Sequence, residues 1–90
     1  MTAKRKEAWA DAATAYERAL VANPTLAEAA MLAGLLRHYR LRDPERAVEL
    51  YESLLKEMDD DSRVHLDLGI ALMRLGRTPT ARRHLLRALE

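Results

Sequence analysis

Residues 47–55 read Ala-Val-Glu-Leu-Tyr-Glu-Ser-Leu-Leu. Their frame is Ala47-x3-Tyr51-x2-Leu54-Leu55. The same frame stands 35 residues earlier as Ala12-x3-Tyr16-x2-Ala19-Leu20, and 34 residues later as Ala81-x3-Leu85-x2-Ala88-Leu89. Gly34 returns as Gly69 and Pro44 as Pro79 on the same interval. A period in this range marks a stacked-repeat architecture, in which each unit buries its apolar face on the next. Such proteins work mainly through extended surfaces.

Working outward, apolar residues recur at spacings of three and four and never alternate. The chain is therefore all-α. The stripe Trp9, Ala12, Ala13, Tyr16, Ala19 and Leu20 predicts a first helix over about 5–22, which Asn23-Pro24 stops. Thr25-x-x-Glu28 has the form of a capping box and opens a second helix over about 26–40, with Ala29, Leu32, Leu36 and Tyr39 on one side. Asp43-Pro44 supplies an N-cap and a first-turn proline for the third helix. Asp59-Asp60-Asp61-Ser62 places acids before the fourth helix (about 62–75), where they oppose the positive end of its dipole. Gly76 is placed to cap that helix. Thr78-Pro79 repeats the cap-plus-proline start, and a fifth helix runs to Glu90. Short loops make neighbouring helices antiparallel.

Ninety residues form a single domain, residues 1–90. The core must be built of Leu, Ala, Met and Tyr, because the chain has no Phe and one Trp. Without Cys it can form neither disulfides nor thiolate metal sites. The net charge of +1 exerts no global pull on nucleic acid or acidic membranes. No stretch resembles a signal peptide or approaches the ~20 apolar residues of a bilayer span, so a soluble, cytoplasmic segment is expected.

These residues resemble the tetratricopeptide repeat family. The resemblance rests on the period, on Gly34 and Gly69 in the first helix of each hairpin, and on Ala47 and Ala81 in the second. Tyr51 and Leu85 four residues on, Leu54 and Ala88 three further, and Pro24 as a repeat-ending proline complete it. It implies five antiparallel helices stacked as helix-turn-helix hairpins in a right-handed superhelix. Residues 5–24 would be a lone leading helix, 25–58 one repeat with a single-residue insertion between Pro44 and Ala47, and 60–90 another. The departures are Ala30 and His65 where a large residue is usual, Arg37 where Leu or Tyr is usual, and Asp59 in place of a terminal proline. An unrelated five-helix bundle is the alternative fold.

The resemblance further implies a concave wall built by the first helix of each hairpin. Met31, Leu35, His38 and Tyr39 would stand on one helix and Leu66, Ile70 and Met73 on the other, with Glu28, Arg63 and Arg74 at the edges. The residue pattern agrees, because the fourth helix carries a second apolar stripe, Leu66-Ile70-Met73, beyond the one needed to dock it. Either a peptide, another helix of the chain or a second copy would cover it. Family members that clamp a C-terminal carboxylate use Lys, Arg and Asn. The matching places hold Met31, Leu35, Leu66 and Ile70, so an apolar or amphipathic partner fits better.

The expected partner is a protein or peptide, with Leu35, Leu66, Ile70 and Met73 as anchors and Arg63 and Arg74 orienting it. Self-association through Leu85, Leu86 and Leu89 of the last helix is the second expectation, because terminal repeats usually present a polar face. Arginines cluster at 37, 40, 42 and 46 and at 74, 77, 82, 83 and 87. An RNA-reading helical repeat is the third, weakened by the interleaved acids. His38, His65 and His84 show no metal-ligand spacing and are expected at the surface or groove edge. No nucleophile context or phosphate loop is present, so neither an enzyme nor a cofactor is expected.

Overall fold

The computed structural model describes residues 3–58 and 60–90. Its helices are α1 (Ala3–Ala22), α2 (Ala27–Leu35), α3 (Pro44–Leu55), α4 (Ser62–Arg74) and α5 (Thr78–Ala88). A π-helical turn, Leu36–Arg40, continues α2. Each helix packs chiefly on its neighbours in sequence, α1 on α2 through to α4 on α5. The Cα envelope measures 38 × 29 × 16 Å. A depth of 16 Å fits two helix layers about 10 Å apart, as stacked hairpins require.

The core is continuous along the stack. Val48, Tyr51 and Leu54 of α3 meet Val64, Leu68, Ala71 and Leu72 of α4, and Ala47 and Ala81 are fully buried. Full burial of each Val or Leu here contributes roughly 1.5–3 kcal/mol. The two helical glycines lie where neighbours leave no room for a side chain. A Cβ on Gly34 would sit 2.5 Å from the Tyr51 ring, and one on Gly69 would sit 2.7 Å from Leu85 and 3.3 Å from the Ala81 carbonyl oxygen. Gly69 thus meets both the alanine and the leucine of its hairpin partner, whereas Gly34 meets the tyrosine.

Several helix ends follow the sequence. Asp43 accepts from the Arg46 N–H at 3.2 Å, and Asp61 from the Arg63 N–H at 2.9 Å. Gly76 takes φ +76°, and the bonds Gly76 N–H to Met73 O and Arg77 N–H to Leu72 O close a Schellman motif. The share of Asp59 in the acidic run lies outside the described residues.

Three local expectations are corrected. Thr25 closes no capping box, because its hydroxyl donates to Asn23 Oδ1 at 2.7 Å and its N–H to the same oxygen. The Asn side chain takes both groups in a local turn, and α2 starts after Leu26 with no side-chain cap. Thr78 is the first helical residue of α5, with Arg77 at the cap position, so Pro79 stands one place deeper than Pro44.

The third correction concerns the extra residue of the longer interval. Ala47 donates to the Asp43 carbonyl and Ala81 to that of Arg77, so both alanines hold the same place in their helices. The insertion therefore does not lie between Pro44 and Ala47. It is taken up in the π-helical turn, where Leu41 N–H reaches back to Leu36 O at 2.9 Å. A π turn holds one more residue than an α turn within the same ladder. Behind it Arg42 takes φ +54°, the left-handed conformation that Gly76 supplies in the second hairpin.

Candidate functional site

The wall between α2 and α4 is built from residues whose opposite faces are already buried. On α4, Val64, Leu68, Ala71 and Leu72 fill the core. The second stripe remains outside it, with Leu66 46 % and Met73 48 % exposed and Ile70 half-buried. On α2, Met31 and Leu35 are half-buried. Met31 lines a depression of about 370 Å³ with Ala27, Glu28, Leu54, Met58, Asp61, Arg63 and Val64. Met31 and Arg63 therefore line the same depression.

At the other end the π-helical turn sets the arrangement. Tyr39, 42 % exposed, leans onto α4, where its hydroxyl donates to Asp67 Oδ1 at 3.2 Å and its ring lies 5.8 Å from the Arg74 guanidinium. Burial, then the nearby Asp67 charge, pushes the Tyr39 hydroxyl above its ordinary 10.0. His38 does not line the wall. It is fully buried and stacks on Tyr39 with ring centroids 4.2 Å apart. Its two ring nitrogens and the Tyr51 hydroxyl make no hydrogen bond among the described residues. Burial, then the Arg74 charge, holds His38 below its ordinary 6.5.

The other histidines depart from the expected surface positions too. His65 is buried, and its Nδ1 lies 3.0 Å from Nδ1 of half-buried His84 across the α4–α5 contact. Burial first, then His65 and Arg83, lowers the His84 pKa. Among the described residues, no group of three or more His, Cys, Asp or Glu could hold a metal ion.

The two arginines expected to orient a partner differ in their commitments. Arg63 is bonded through Nη2 to Asp61 Oδ2 at 3.1 Å, and that bond holds the Asp61 carboxyl below its usual range. Arg74 lies over a ring instead of a carboxylate. Sequence reasoning missed Asp67. It is half-buried between Leu66 and Ile70, and burial raises its carboxyl above the ordinary 3.8 despite the Tyr39 bond and the Arg63 charge.

Four of the nine clustered arginines, Arg37, Arg46, Arg77 and Arg87, are paired with acids. Arg37 and Arg46 both bond Glu17 of α1. Burial opposes the Glu17 charge, but the bonds from Arg37 and then Arg46 outweigh it and lower the pKa. Arg37, unusual at its place, thus ties α1 to the first hairpin. Arg77 meets Glu45 at 3.6 Å, Arg87 meets Asp60 at 2.9 Å, and Arg40 lies 5.0 Å over the Trp9 ring.

The tetratricopeptide repeat family model matches residues 38–90, which is more than half of the chain. With the hairpin stack, this establishes that the chain belongs to the tetratricopeptide repeat family. No curated protein matches it. The family is a non-catalytic scaffold family whose domains generally mediate protein–protein interactions. Among the described residues, no helix is long and apolar enough to cross a membrane.

Proposed function

We propose that this chain is a protein-interaction scaffold that holds a peptide or protein segment along the wall between α2 and α4. The observation that carries this is the second stripe of α4. Leu66 and Met73 remain about half exposed although the helix is already docked through its other face. Ile70, Met31 and Leu35 continue the apolar surface at half burial, and Tyr39 closes one end of it. Stripes of this kind on a docked helix mark interaction surfaces, and the two Met side chains adapt to varied partner shapes. His38 supports the wall from behind.

A random dodecapeptide library panned on the immobilised chain tests this reading. The expected clones lose at least tenfold in affinity on Leu66→Asp with Met73→Asp, while the helical circular dichroism and melting temperature are kept. Clones that bind the double variant as well as the parent would end it.

A second reading, self-association through α5, is favoured by a separate depression of about 280 Å³. Met73, Thr78, Arg82, Leu85, Leu86 and Leu89 line it, and Leu86 and Leu89 are 56 % and 84 % exposed. Sedimentation across a wide concentration range should show a reversible dimer lost in Leu86→Glu. A monomer throughout would refute it.

A further inference from the structure

The balance of charge on the α2–α4 wall differs from what the arginines alone suggest. Arg63 is tied to Asp61 by its side chain, and the guanidinium of Arg74 faces the Tyr39 ring. Two acids on the same wall have no ion pair of their own, although the Arg63 charge reaches Asp67 from a distance. Among the described residues, no lysine or arginine lies within ion-pair distance of Glu28 or Asp67.

Asp67 is the more telling of the two. It is half-buried, flanked on the wall by Leu66 and Ile70, and its one hydrogen bond among the described residues is the 3.2 Å contact from the neutral Tyr39 hydroxyl on Oδ1. A carboxylate can accept about four hydrogen bonds, so most of its capacity is unused among the described residues. The raised pKa agrees with this, because it marks an ionised form that burial disfavours and that a cation would relieve.

We propose that Asp67 selects the partner: the segment held on this wall carries a lysine or arginine among apolar residues, its cation seated on Asp67 and its apolar neighbours on Leu66 and Ile70. The inference rests on the groove reading above and adds the chemistry of the occupant. The charge is opposite to what a C-terminal carboxylate would need. Glu28, at the end of the wall that holds Met31, favours the same sign.

The experiment extends the peptide selection. Pools from the parent chain and from Asp67→Asn are sequenced side by side; asparagine keeps an acceptor for Tyr39 and removes the charge. The parent pool should be enriched in lysine and arginine, and the Asp67→Asn pool should lose that enrichment while keeping its apolar residues. A lysine peptide from the parent pool is then compared with its norleucine counterpart, which has the same stem without the ammonium. Norleucine should weaken binding to the parent about tenfold and leave binding to Asp67→Asn unchanged. Equal basic content in the two pools, or equal loss on both chains, would overturn the inference and spare the groove. Normal binding by the Leu66→Asp, Met73→Asp chain would remove both.

Discussion

The two hairpins obey the same frame and solve it differently. In the second, α4 runs as a regular helix into a glycine-capped Schellman turn, and Gly69 meets the side chain of a leucine. In the first, α2 passes into a π-helical turn, the left-handed position is held by Arg42, and Gly34 meets the ring of a fully buried tyrosine. The second hairpin is thus aliphatic at its glycine contact and carries the His65–His84 pair beside it across α4 and α5. The first stacks His38 on Tyr39, sets the Tyr51 ring against Gly34, and gains an ionic tether, Glu17 with Arg37 and Arg46, to α1. The comparison teaches that the frame specifies where helices approach, while the residues inside the approach decide how tolerant it is.

The largest test of that difference is alanine at the two helical glycines. Gly34→Ala should cost about 2–3 kcal/mol, because the added Cβ meets the rigid ring of fully buried Tyr51. Gly69→Ala should cost less, about 1–2 kcal/mol, since half-buried Leu85 can rotate away and alanine favours the helix, which leaves the tight 3.3 Å approach to the Ala81 carbonyl oxygen. Urea unfolding measures both, and equal costs would break the comparison. Next comes the tether. Glu17→Ala leaves two part-buried arginines without their shared partner and should cost about 1–2 kcal/mol, less at high salt. An unchanged midpoint at low salt would show that apolar contact alone docks α1.

A smaller effect is expected at the left-handed positions. Gly76→Ala should cost about 1 kcal/mol through backbone conformation alone, since no atom of the described residues lies within 4 Å of an added Cβ. Arg42→Gly should leave stability level or raise it by up to about 1 kcal/mol, and a loss would show that the arginine side chain holds the turn.

The gentlest probe is pH. His38 and His84 have folded pKa values below the ordinary 6.5, so the unfolded chain binds more protons beneath that value. Their contribution is complete above about pH 6.5 and is lost as pH falls from there through the folded values. The melting temperature should therefore begin to drop below pH 6.5, and His38→Phe should flatten the slope. A melting temperature level from pH 7.5 to 5 would contradict the burial of these rings.

Much of this was legible in the sequence because the signals are local. The stripes, Asp43, Asp61 and Gly76 each act within one turn, and the frame around Tyr51 and Leu85 repeats. What escaped depends on partners distant in sequence or on competition between neighbours. Glu17 finds Arg37 and Arg46 only after α1 folds back. Thr25 prefers Asn23 to the start of its helix. Nothing in Leu-Arg-His-Tyr-Arg announces a π turn, so the burial of His38 behind the wall could not be read from helical spacing. Of the wall itself, Leu66 and Met73 were visible as spare apolar residues. Asp67 was passed over because a single acid on a helix is ordinarily a solvated one.

The π-helical turn also separates two measures of length that are usually equated. Counted along the chain, the frame advances by 35 residues and then by 34, whereas both hairpins bring their alanine to the same place after the cap. Residues 36–40 thus act as an expansion joint. Their coil takes in one residue while the helices on either side keep register, so an insertion or deletion there would alter the count without shifting the stack.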